Sequence, residues 1–144
     1  MTRALVLVAL LLPLQQALAC QGLVVTKAWI REPPPGSEVV AAYMTLHNDR
    51  SEPLRIDGWH AAGFGGAMLH ETVQHGNASR MVMRGALEIP GKATIELKPG
   101  GLHFMLSKPS DPLTRGKETR LQLRCGEHVT TTSLRVQGLE ESPP

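Results

Sequence analysis

Downstream of residue 20, Gly, Pro or Asn clusters interrupt the chain every eight to twelve residues, and short runs of alternating apolar and polar residues lie between them. A period of two suits a half-buried strand, and frequent turn residues leave no room for long helices. The predicted strands are Gly22–Arg31, Val39–Asn48, Pro53–Trp59, Gly66–Val73, Arg80–Arg84, Ala86–Ile89, Ala93–Leu97, Leu102–Ser107, Glu118–Arg124 and His128–Gln137. Pro33-Pro34-Pro35-Gly36 reads as an extended loop after the first strand, and Leu97-Lys98-Pro99-Gly100-Gly101 as a tight turn. Gly126-Glu127, between two alternating runs, reads as a hairpin turn. Helix is expected to amount to a single turn at most. The pattern implies an all-β sandwich or barrel, and 144 residues suffice for one core but not two.

The first 19 residues are expected to lie outside that domain. Arg3 provides a positive start, Ala4 to Leu14 is almost wholly apolar, and Ala17-Leu18-Ala19 forms a small-x-small cleavage site. This is the layout of a signal peptide cut near Ala19, and its apolar run is too short for a stable membrane span. The expected division is 1–19 signal peptide, 20–138 domain and 139–144 disordered tail. Loss of Arg3 reduces the basic residues from 15 to 14 against 13 acidic ones, so the mature chain is nearly neutral. Its cations are dispersed and not interleaved with aromatics, which argues against nucleic-acid binding. The expected location is a bacterial periplasm.

An exported chain with two cysteines, Cys20 and Cys125, suggests a disulfide by default. A second reading stays open, because Ala17-Leu18-Ala19-Cys20 resembles a lipoprotein cleavage box that would make Cys20 a lipidated first residue. The match is imperfect: Ala17 and Leu18 stand in the reverse of the preferred order. A third reading leaves both thiols unpaired. Cys125 alternates with Leu121 and Leu123 and should point inward.

The chemistry-bearing residues are His70, Met81, His103 and Met105, in the pattern H-x10-M-x21-H-x-M. Imidazole with thioether, lacking thiolate and carboxylate, suits Cu(I) and discriminates against Mg, Ca and Mn. In Leu102-His103-Phe104-Met105-Leu106 the apolar residues share one face, which leaves His103 and Met105 together on the other. Met81 and Met83 share a face across Val82. Glu71 beside His70 could orient that ring, although a solvent-facing carboxylate is the commoner case. His75 reads as a solvated loop residue near the site. Nucleophile elbows, carboxylate pairs and His-rich zinc spacings are lacking, so hydrolytic chemistry finds no support.

At these residues the sequence resembles the periplasmic copper chaperone family PCu(A)C, whose pattern the four donors fit without a gap. The likeness extends to Ala28-Trp29-Ile30-Arg31, Ala41-Ala42-Tyr43-Met44-Thr45-Leu46, Leu69-His70-Glu71-Thr72 and Glu96–Leu106, and covers residues 22–137. The resemblance implies a cupredoxin-like Greek-key barrel or sandwich holding one Cu(I) per chain at an accessible rim. It also implies a non-enzymatic chaperone serving the copper-A subunit of cytochrome c oxidase alongside Sco-type thiol proteins. Spacing selects Met81 as the second ligand, whereas the local Met-x-Met-Arg likeness selects Met83; the spacing is followed here. The His/Met-rich tail of some members is lacking. Two alternatives remain, a metal-independent exported binding sandwich and a blue-copper electron carrier, which would need a Cys thiolate beside two His.

Overall fold

The computed structural model describes residues 20–138, so the expected signal peptide and tail lie outside the described residues. Eleven strands make up the domain: β1 (Leu23–Arg31), β2 (Val39–Asn48), β3 (Leu54–Ile56), β4 (Gly58–Ala61), β5 (Phe64–His75), β6 (Ala78–Arg84), β7 (Leu87–Ile89), β8 (Thr94–Leu97), β9 (Leu102–Pro109), β10 (Glu118–Cys125) and β11 (His128–Gln137). Helix is absent among them. The sequence therefore indicates the class correctly.

Nine strands join in one sheet ordered β4-β10-β11-β1-β2-β9-β5-β6, with β8 pairing β2, while β3 and β7 form a separate ribbon. All pairs are antiparallel except β1 with β11. The alternation sends Ile30, Leu69, Phe104, Leu106, Leu121, Leu123, Leu134 and Val136 into one core, each almost wholly shielded from water. At ~25 cal/mol per Å2 of apolar surface, that burial is the main drive for folding.

Of the barrel and the sandwich that the sequence leaves open, the closed barrel is not formed. Both edges of β5 are already occupied by β6 and β9, so the terminal strand β4 has no ladder to join there. Trp59 on β4 instead donates Nε1–H to the Ala67 carbonyl on β5 at 3.0 Å and packs edge-on against Phe104. A side-chain bond thus ties the terminal strand β4 to β5, the neighbour of the other terminal strand.

The predicted strand Pro53–Trp59 is two strands in different sheets. The Asp57 N–H donates to the Arg124 carbonyl at 2.9 Å and turns the chain from β3 into β4. Gly58 follows because a Cβ there would lie 2.6 Å from Arg124 Nε. Earlier in the chain, buried Asn48 ties the turn after β2: its Nδ2 reaches the carbonyls of Glu52, Ile89 and Pro90, and its Oδ1 accepts from the Arg50 N–H. The β10–β11 hairpin turns at Gly126-Glu127 as expected, with Gly126 at φ 63°.

Cys20 and Cys125 are joined by a disulfide, with Cα atoms 5.3 Å apart. This selects the default reading. A sulfur in that bond carries neither a lipid thioether nor a free thiol.

Candidate metal centre

The donors sit on the face of β6, β5 and β9 opposite the core, where cross-strand register sets their neighbours. His70 on β5 lies directly opposite His103 on β9 and directly opposite Met83 on β6. Met105 on β9 faces Met68 on β5, and Met81 faces Thr72, one diagonal step from His70. Directly opposite residues have Cβ atoms ~5 Å apart, and diagonal ones remain within reach of long side chains. The two imidazole rings stand edge to face, centroids 6.1 Å apart.

Burial grades across this face. His103 is only 5% exposed, whereas Met68, Met81 and Met83 are 37%, 57% and 67% exposed. Two rings therefore form a floor with thioethers around its open side. Behind His103 stands an aromatic wall, with Tyr43 at 6.4 Å and Trp29 tilted against Tyr43 at 4.8 Å, both buried. Burial raises the Tyr43 phenol above its ordinary value, and the Arg31 charge opposes this in part.

Each imidazole shows how it would meet an ion. His103 Nδ1 lies 2.9 Å from the Gly101 carbonyl. A carbonyl can only accept, so Nδ1 carries the proton and the Nε2 lone pair is free. An outer-sphere partner of this kind commonly fixes the tautomer of a metal-bound His. The same oxygen accepts the Thr72 N–H at 3.1 Å, which pins β5 beside the turn that aims the ring. His70 Nδ1 is buried with no hydrogen-bond partner. Such an orphan costs ~1–3 kcal/mol unless something satisfies it, and a soft cation would do so. Among the described residues no three His, Cys, Asp or Glu converge on a metal position.

Glu71 does not orient His70. It points from the opposite face and is ion-paired with Arg84. His75 also lies off the donor face, at the end of β5, and His47 is bonded to Thr94 Oγ1 at 2.9 Å. The sequence reading missed Met68, although the alternation in Met68-Leu69-His70 carries the same signal that pairs His103 with Met105. It also missed the Gly101 carbonyl, which has no side-chain signature.

The family model described as "Putative lipoprotein LpqE-like" matches residues 23–136. "Putative lipoprotein Lxx21020" of Leifsonia xyli subsp. xyli is 32% identical over 111 residues, which is 76% of this chain. The matched region spans 66% of that relative's length. Among solved structures, the Cu(I) form of DR1885 from Deinococcus radiodurans superposes with a TM-score of 0.67 at 28% identity, over 87% of this chain and 84% of that one. The copper-bound PCuAC domain from PmoF2 gives 0.69 at 21% identity, over 81% and 93%, and at that identity the likeness bears on fold alone.

Proposed function

The chain belongs to the LpqE-like family, and we propose that it is an exported, non-enzymatic Cu(I) carrier whose residues 20–138 form the functional domain. Copper is its cargo. One ion binds through His70, Met81, His103 and Met105, with Met83 as the competing second ligand. The observation that carries this reading is the direct opposition of His70 and His103, ringed by solvent-exposed thioethers on a non-core face. Apolar side chains gain little from such exposure, whereas neutral soft donors suit a monovalent soft ion. Similarity to the Cu(I) form of DR1885 supports the same reading.

The residues divide the work. The Gly101 carbonyl presets His103 with Nε2 free, so binding does not wait on tautomer exchange. The Trp29–Tyr43 wall excludes water behind that ring and leaves the β6 side as the approach. An acceptor thiolate arriving there would displace the exposed thioethers first, because neutral sulfur holds copper less tightly than anionic sulfur. The acceptors proposed are the copper-A subunit of cytochrome c oxidase and Sco-type thiol proteins, and the compartment is the periplasm. In that setting thioethers resist oxidation better than thiolates.

A blue-copper role is disfavoured because the sulfur of Cys125, its late thiolate candidate, is held in the disulfide. The test is Cu(I) competition against a chromophoric chelator, using the mature protein and a His103→Ala/Met105→Ala variant. The wild type is expected to retain one equivalent and the variant to lose high-affinity binding with its β-sheet circular dichroism unchanged. A wild-type protein that surrenders all its Cu(I) would point instead to a metal-independent sandwich.

A further inference from the structure

The donor face carries more soft ligands than one ion needs. Besides the four proposed ligands it holds Met68 and Met83, 37% and 67% exposed. Met68 is directly opposite Met105, and Met83 is directly opposite His70. Because His70 pairs with Met83, Met68 lies two residues along β5 from that pairing and one diagonal step from Met83. Flexible methionine side chains span such a diagonal. Neither residue is core filler, and β6 is a terminal strand, where exposed charges usually guard the edge.

We propose that Met68 and Met83 form a second soft-cation position, a two-thioether site for Cu(I) beside the His/Met centre. Monovalent copper and silver accept two sulfur donors in a near-linear arrangement, and a diagonal pair of flexible methionines is placed to supply them. The site deepens the carrier reading and rests on it, since a second ion is useful only beside a first. Two monovalent ions held this close repel each other, so the second equivalent binds about tenfold more weakly. The outer pair then offers a docking point through which copper enters or leaves the better-shielded imidazoles.

Native mass spectrometry of the disulfide-intact mature protein, titrated with Ag(I), reads this directly. The wild type is expected to take two ions, and Met68→Leu/Met83→Leu, which preserves apolar volume at exposed positions, only the tighter one. His103→Ala/Met105→Ala is expected to lose the tighter ion. Methyl-labelled methionine NMR adds a residue-level reading, with buried Met44 as the unmoved reference. The Met68 and Met83 methyls are expected to shift only with the second equivalent. A wild type that saturates at one ion overturns this inference and leaves the carrier reading intact, whereas one that binds none removes both. A second ion surviving in the double Leu variant, or Met83 moving with the first equivalent, also overturns it.

Discussion

At the scale of single residues, strict alternation made the His103/Met105 pair legible, because Leu102, Phe104 and Leu106 could face only the core. The same rule could not choose between Met81 and Met83, since residues two apart on a strand share a face. Register does not choose either, since Met83 is directly opposite His70 and Met81, opposite Thr72, is one diagonal step from it; the choice of Met81 follows the spacing. Comparing Met81→Ala with Met83→Ala by chelator competition should reveal one dominant ligand. The expected result is a loss of about tenfold or more in Cu(I) affinity for Met81→Ala and a change of severalfold at most for Met83→Ala, and equal small losses would remove both. Tyr43 supports a pH prediction. Burial raises its folded-state value above that of the unfolded chain, so the phenol favours folding fully below the unfolded value near 10 and less as pH rises above it. Alkaline difference spectra should show this tyrosine, the only one in the sequence, ionising later in the folded protein than in urea. Tyr43→Phe should weaken that alkaline loss of stability.

At the scale of elements, strands with clean alternation were found close to their predicted limits, and β2 matches at both ends. The split between β3 and β4 was not legible. It depends on Asp57 meeting the Arg124 carbonyl, a partner 67 residues away in sequence and invisible to any local window. Closure stayed undecided for a related reason, since alternation reports which face is buried but not which strand edges are taken. Asn48 belongs to this scale, because one amide fastens the turn after β2 to the end of β7. Asn48→Ala should destabilise the domain by about 2–3 kcal/mol, the usual cost of removing a buried amide that bonds several backbone groups at once. Urea denaturation measures it, and a change under 0.5 kcal/mol would show that water replaces the amide.

At the scale of the whole molecule, the disulfide joins residues 105 apart, which fastens the start of the domain to the end of β10. Loops of that size restrict the unfolded chain strongly, so Cys20→Ser/Cys125→Ser should lose about 2–5 kcal/mol in urea melts. Cu(I) affinity should change less than threefold, because neither sulfur belongs to the donor set; a larger drop would couple the cross-link to the site. Mass measurement of the exported protein should show two hydrogens fewer than the reduced chain and no acyl group on Cys20. A diacylglyceryl mass would mean that the sulfur is modified before it can pair. The Gly101 oxygen, which aims one imidazole while holding a neighbouring strand, has a consequence for the lineage as a whole. An alanine methyl at position 101 would meet Lys98 no closer than 3.7 Å, so the residue type there can drift while the peptide oxygen stays in place. What orients the ligand is then inherited through the path of the chain, and a comparison of side-chain identities across descendants would pass over it.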